Sequence, residues 1–285
     1  MSYLWIWILA CAGIILIAFL VWNHLRQRRL IRQLQELAHS LEESKQQIIA
    51  EQQRNQQLKQ EMTSNIAHEL KTPVSSIRGY LEILLGDKPV DDDRRHFFLE
   101  RCYSQTLRLS DLINDVSIIN KLEESSDLFS VEEVDIRAIA DEALAELGDT
   151  FRNRHIEVHN SLPEQMPIQG NSSLIYSIFR NLLENAAAYA GEGVSIEMEC
   201  YKKSEERYYI HFYDTGNGVD DKYLPRLFDR FLRIDEGRSR KSGGTGLGLS
   251  IVKHAVLFHG GDIYVRNRDP HGLEFFFSLS KKQQS

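Results

Sequence analysis

Hydrophobic and polar positions divide the chain into four stretches. From Tyr3 to Trp22 every position is apolar, a run of 20 residues, the length a helix rising ~1.5 Å per residue needs to cross a hydrocarbon layer of about 30 Å. From Leu30 the residues Leu30, Leu34, Leu37, Leu41, Ser44, Ile48, Glu51, Asn55, Leu58 and Met62 fall on alternating steps of four and three, a heptad seam interrupted by Ser44, Glu51 and Asn55. Such a seam fits either a single solvated spacer helix or a parallel homodimeric coiled coil whose Asn55 fixes register. The seam runs on into a helix with Ile66, Leu70, Val74, Ile77, Leu81 and Leu84 on one face, where Pro73 is expected to introduce a kink. A turn over 86–93 leads to a second helix with Phe98, Cys102, Leu109, Leu112, Val116 and Ile119 on its buried stripe. Two such helices bury too little alone, so an all-α four-helix bundle made by two copies of the chain is expected.

After Ser130 the period changes. Short strand-like segments near 128–131, 155–160, 167–169, 194–201, 207–213, 262–267 and 274–280 alternate with helical ones over 136–147, 172–190 and 247–259. This predicts an α/β sandwich with helices packed on one face of a sheet.

Charge adds direction to this plan. The net charge is −7, yet Arg26, Arg28, Arg29 and Arg32 are the only charged residues up to position 32, so −11 falls on the remainder. A basic cluster directly after an apolar run places that side in the cytoplasm, with only Met1 and Ser2 outside. A cleaved signal peptide fits less well, because the run is long, no basic segment precedes it and no small-residue cleavage site closes it. With 42% hydrophobic residues, 17 glycines and 6 prolines, the composition excludes a collagen-like, Pro/Gly-disordered or polytopic membrane protein. Cys11, Cys102 and Cys200 stand singly, which argues for a reduced body with neither a disulfide framework nor a zinc site. An acidic body without a basic stripe argues against nucleic acid as a partner.

Four groups of residues carry candidate chemistry. His68 lies about 200° from Ile66 around the helix and points away from its apolar face, with Glu69 adjacent and Thr72 one turn on. Imidazole is an available nucleophile at neutral pH, a neighbouring carboxylate can orient it and take its proton, and a hydroxyl can position a water. Asn181 and Asn185 share a face in mid-helix, where asparagine is a poor helix former. Asp214 ends a strand and opens Asp214-Thr215-Gly216-Asn217-Gly218, in which a carboxylate can accept a hydrogen bond from an exocyclic amine and glycines allow close approach of a flat base. Gly243-Gly244-Thr245-Gly246-Leu247-Gly248 opens a helix whose N-terminal N–H groups attract phosphate.

In this order the segments resemble the sensor histidine kinases of two-component signalling across residues 60–280. His68-Glu69-Leu70-Lys71-Thr72-Pro73 is similar to the phosphoacceptor box, Asn181 to Asn185 with Tyr189 to the asparagine box, and Asp214-x-Gly216-x-Gly218 to the first glycine box. Leu227 to Arg233 resembles the phenylalanine-containing box and Gly244-x-Gly246-x-Gly248 the second glycine box. The apolar run and the heptad seam give a transmembrane helix over 1–23 and a signalling coiled coil over 24–60; the resemblance implies a dimerisation and histidine phosphotransfer domain over 61–124 and a Bergerat-type (GHKL) ATP-binding domain over 125–282. It further implies ATP and Mg²⁺ as cofactors, with Asn185 as metal ligand, Asp214 on the adenine amine and Tyr189 near the base. His68 would be autophosphorylated with Glu69 deprotonating it, and the phosphoryl group would pass to an aspartate in the receiver domain of a response regulator. Thr72 stands where the family dephosphorylates that regulator. A single-pass protein of the inner or plasma membrane, cytoplasmic beyond its anchor and homodimeric, is the expected setting. The loop between Asp214 and Gly244 resembles the family's ATP lid, and the family often has a lysine before the tyrosine, where this chain has Ala188, so Arg233, Arg238, Arg240 or Lys241 in or beside that lid is expected to supply the missing charge. The rival from another class is a tethered scaffold that binds ATP without transferring phosphate.

Overall fold

The computed structural model describes residues 2–86, 88–124, 129–234 and 244–282, without the side chains at 2–12, 14–16, 18, 29–34, 37, 38, 55, 58, 123 and 124. It separates into two units, Met1–Ser64 and Asn65–Ser285. The first is the leading part of helix α1 (Ser2–Leu85). Most side chains of the apolar run Tyr3–Trp22 fall outside the described residues, and among the described residues no helix is long and apolar enough to cross a membrane. On the heptad seam Leu41 and Ile48 are 62% and 56% exposed, while the side chains of Leu30, Leu34, Leu37, Asn55 and Leu58 lie outside the described residues. An exposed leucine gains nothing from burial, so this seam stabilises only when another helix covers it.

The second unit begins with the rest of α1, which continues through Pro73 as helix. The proline lacks an N–H, so the carbonyl of Glu69 one turn earlier loses its ladder partner. Helix α2 (Asp92–Glu124) packs on α1 through the stacked rings of Tyr80 and Phe98, 5.6 Å apart, and the Cys102 thiol points to the Ile77 carbonyl. Leu112 and Ile119 are buried, but Val74, Leu81, Phe97, Leu107 and Ile113 stay exposed, an apolar surface the pair does not cover by itself.

Beyond α2 come β1 (Glu132–Asp135), α3 (Ile136–Glu146), α4 (Gly148–Asn153), β2 (Glu157–Ser161), β3 (Pro167–Gly170) and α5 (Ser172–Tyr189). They are followed by β4 (Ser195–Lys203), β5 (Arg207–Asp214), a 3₁₀ helix over Asp221–Arg226, α6 (Gly248–Phe258), β6 (Ile263–Asn267) and β7 (Leu273–Ser280). The main sheet has the order β2-β4-β5-β7-β6, parallel only between β2 and β4, and β1 pairs with β3 in a separate antiparallel ribbon. The strand expected near 128–131 begins instead at Glu132; residues 125–128 lie outside the described residues, and Phe129 packs edge-on against Phe258.

Alternation along β5 buries Tyr208, Ile210, Phe212 and Asp214 on one face, against α3, α5 and α6. On α5, Leu174, Ile175, Ile178, Phe179, Leu182, Leu183, Ala186 and Ala187 recur at steps of three and four and form the centre of this core. The helix starts where it does because the Asn171 side chain accepts the Leu174 N–H at 3.0 Å. Asp135 caps α3 in the same way, accepting from Arg137 and Ala138. His259, buried beyond the end of α6, accepts the Asn171 N–H on Nε2 and donates from Nδ1 to the Ala255 carbonyl, which fixes it as a neutral tautomer. Burial accordingly holds its pKa below the ordinary value. This imidazole ties the start of α5 to the end of α6, the two helices that frame the site.

Candidate nucleotide cleft and phosphoacceptor

A cleft of about 730 Å³ opens between α5, the start of α6 and α2. Asn181, Asn185, Tyr189, Asp214, Gly218, Arg233, Gly244, Gly246 and Gly248 all line it, so residues from four separate boxes meet in one place. Gly216 does not line the cleft. It packs behind the wall, where an added Cβ would stand 2.3 Å from the Ala190 carbonyl oxygen, so only glycine lets the loop after β5 close onto the end of α5. Gly248 plays a related part, because a Cβ there would stand 2.4 Å from Asn181 Oδ1.

The asparagines have different surroundings. Asn181 donates from Nδ2 to the Ser177 carbonyl at 2.8 Å, bonding back along its own helix. The Asn185 side chain makes no hydrogen bond among the described residues and lines the cleft; its amide oxygen is a hard donor of the type Mg²⁺ accepts alongside phosphate oxygens and water. Asp214 is 4% exposed, and its Oδ1 accepts the N–H groups of Gly216 at 2.8 Å and Leu273 at 3.4 Å. Burial pushes its carboxyl above the usual range, against those two bonds and Arg268. The N-cap of α6, Leu247, contributes no side-chain bond, leaving N–H groups at the helix start for an anion. These donors fit a purine nucleotide with a metal-bound phosphate tail.

Where the family's lysine would stand, Ala188 lines the cleft, and the guanidiniums present are Arg108, Arg154, Arg180 and Arg233. Of the four cations the sequence suggested as substitutes, Arg233 is in place, whereas Arg238, Arg240 and Lys241 lie outside the described residues. Arg180 pairs with Glu184 at 3.0 Å, Asp111 at 3.8 Å and Glu146 at 3.9 Å. Burial alone would lower its pKa, but those acids together hold it above the ordinary value.

Outside the cleft, His68 stands on α1 with its side chain 80% exposed and Nδ1 4.0 Å from Glu69 Oε1. Glu69 itself is only 18% exposed and faces two guanidiniums. Arg233 Nη2 lies 3.2 Å and Arg108 Nη2 3.7 Å from its Oε2, and Arg233 Nη1 donates to its Oε1 at 3.4 Å. Arg233 also donates to the Gly244 carbonyl. Thr72 is exposed and bonds back from Oγ1 to the His68 carbonyl at 3.4 Å. A second contact joins the same elements, with Thr245 Oγ1 donating to Asp115 Oδ2 at 2.9 Å. Sequence reasoning passed over Arg108, Asp111 and Asp115. Asp115 had a visible signal, being a carboxylate three residues after Leu112 and four before Ile119 on the buried stripe of α2.

A solvent-facing histidine on a helical pair, joined to a one-sided α/β sandwich with a glycine-lined cleft, defines a phosphoacceptor and ATPase pairing. Residues 58–125 match the His Kinase A (phospho-acceptor) domain, and residues 170–283 match the histidine kinase-, DNA gyrase B- and HSP90-like ATPase family. The sensor histidine kinase WalK of Bacillus subtilis (strain 168) is 32% identical over 238 residues, 83% of this chain and 39% of that protein. The sensor-like histidine kinase SenX3 of Mycolicibacterium smegmatis is 31% identical over 221 residues, 78% of this chain and 57% of its own length. The chain therefore belongs to the sensor histidine kinases of two-component signalling, while spanning 39% to 57% of the length of these curated relatives. At the level of fold alone it is similar to Acinetobacter baumannii histidine kinase AdeS, with a TM-score of 0.59 at 22% identity over 75% of this chain and 98% of that one. The histidine kinase ThkA, solved in complex with response regulator protein TrrA, gives a TM-score of 0.60 at 21% identity over 78% of this chain and 61% of that one.

Proposed function

We propose that this protein is a membrane-anchored homodimeric kinase that phosphorylates His68 from ATP and passes the phosphoryl group to an aspartate of a response regulator. The observation that carries the proposal is the contact between Arg233, which lines the nucleotide cleft, and Glu69, the residue beside the exposed imidazole. Phosphoryl transfer demands alignment and charge neutralisation more than covalent help. Asp214 and Tyr189 would hold the base, the N–H groups at the start of α6 would face the phosphates, and Asn185 would hold Mg²⁺, which would supply charge neutralisation on the phosphate oxygens. Glu69 is nearest Nδ1 of His68, so that nitrogen carries the proton and Nε2 is left for phosphorus. As the bond from Nε2 to the terminal phosphorus forms and the bridging P–O bond breaks, the diphosphate leaves with its electron pair and the Nδ1 proton is available to Glu69.

Further parts of the reading rest on sequence and exposed surface. The apolar residues Val74, Leu81, Phe97, Leu107 and Ile113 would be covered by a second copy in a four-helix bundle. Thr72, one turn from His68, would position the water that dephosphorylates the regulator. The run Tyr3–Trp22, followed by four arginines, would anchor the chain once in the inner or plasma membrane with its catalytic part in the cytoplasm.

The full chain incubated with γ-labelled ATP tests the proposal. Acid-labile, alkali-stable label on the wild type that is lost in His68→Gln is the expected result. Bound nucleotide with no label on the wild type would replace the kinase by a nucleotide-driven scaffold.

A further inference from the structure

Arg108 belongs to the helical pair, yet it lines the nucleotide cleft. It stands beside Arg233, and the two guanidiniums share one carboxylate, that of Glu69. All three side chains are largely withdrawn from solvent, at 19%, 17% and 18% exposure. The trio therefore carries one uncompensated positive charge at the rim of a site built for phosphates. Burial, and then the neighbouring Arg233, hold the Arg108 guanidinium below its ordinary range, while Glu69 opposes the shift. Paired arginines in such a place gain from an anion with more charge and more acceptor oxygens than a single carboxylate. The cleft also lacks the lysine that Ala188 replaces.

We propose that Arg108 and Arg233 form a paired receptor for the terminal phosphate of the triphosphate, and that Glu69 competes with that phosphate for them. The inference rests on the kinase reading and deepens it by naming a positioning residue, Arg108, and an exchange. Arg108 and Arg233 hold either the Glu69 carboxylate or the terminal phosphate. Passing to the phosphate, they release Glu69 toward Nδ1 of His68, now 4.0 Å away. One ion-pair exchange thus seats the phosphate and arms the base together. Diphosphate, which lacks the terminal group, leaves Glu69 where it is, so product is held less firmly than substrate.

The prediction concerns binding and is read without turnover. The full chain is titrated with Mg²⁺ and the β,γ-imido analogue of ATP, and separately with Mg²⁺ and ADP. Arg108→Ala is expected to weaken the triphosphate analogue roughly tenfold and ADP less than about twofold. Arg108→Lys, which keeps the charge, is expected to restore most of the difference. Glu69→Gln is isosteric and should bind the triphosphate analogue about fivefold more tightly, with ADP unchanged, while losing transfer to His68. A purely structural Arg108 would weaken both nucleotides equally, and that result would overturn the inference. So would an unchanged ratio of the two affinities in Glu69→Gln. A wild-type chain that binds neither nucleotide would sink the kinase reading together with it.

Discussion

Asp115 offers the sharpest test of how the ATP-binding part is held against α2. Its carboxylate accepts the Thr245 hydroxyl at 2.9 Å, and burial lifts its pKa from 3.8 to about 6, while Thr245 and Arg180 pull it down and Asp111 pushes it up. The burial that comes with the closed contact outweighs the opposing Thr245 bond, so the carboxyl binds its proton more tightly with the contact closed than with it open. The closed contact is therefore favoured at low pH and loses stability as pH rises from below 3.8 through 6. The full difference corresponds to roughly 3 kcal/mol against the ionised form. About half of that already acts at pH 5, so raising the pH from 5 to 7.5 should favour opening by roughly tenfold. Asp115→Asn keeps an acceptor for Thr245 and removes the charge, and it should close the contact by on the order of a hundredfold at pH 7.5. Amide hydrogen exchange over Gly244–Gly248, corrected for the intrinsic rate at each pH, reads the opening directly. Protection in the wild type that rises with pH, or that equals the Asp115→Asn variant at pH 7.5, would refute the reasoning.

Three further outcomes are expected. Gly216→Ala drives a methyl to 2.3 Å from the Ala190 carbonyl oxygen, which should cost about 1–3 kcal/mol by denaturant midpoint and abolish measurable ATP binding. Phe179→Ala, at a fully buried site on α5, should destabilise the ATP-binding part by about 3–5 kcal/mol, read from the urea transition. The pKa of His259 is lowered by burial, so its contribution is complete above 6.5 and fades as the pH falls through the depressed value. Loss of exchange protection at the Asn171 amide on acidification would show this, and protection unchanged between pH 7 and pH 4 would contradict it.

The elements were legible wherever the side-chain period was clean. The expectations of 172–190 and 207–213 differ by a residue from α5 and β5, because the Asn171 cap and the alternating apolar positions of β5 are local facts. The strand expected near 128–131 was misplaced because β1, Glu132-Glu133-Val134-Asp135, is mostly polar and owes its form to pairing with β3, which no local pattern announces. Within the site, Asn185, Asp214 and the glycines were readable from motif spacing. Arg108 and Asp111 were not, since on a helix they look like ordinary solvated charges until the start of α6 is laid against them. Glu69 was read as a neighbour of His68. Its engagement by Arg233 joins positions 164 residues apart and exists only in the folded unit.

One oxygen of Asp214 holds both the loop after β5 and the first residue of β7, through Gly216 and Leu273. The residue that would read the base is thus also a rivet between two edges of the framework. Drift toward a different purine would have to loosen that rivet, so selectivity and foldability are inherited as one trait, and variants with altered base preference should arise only on backgrounds already stabilised elsewhere.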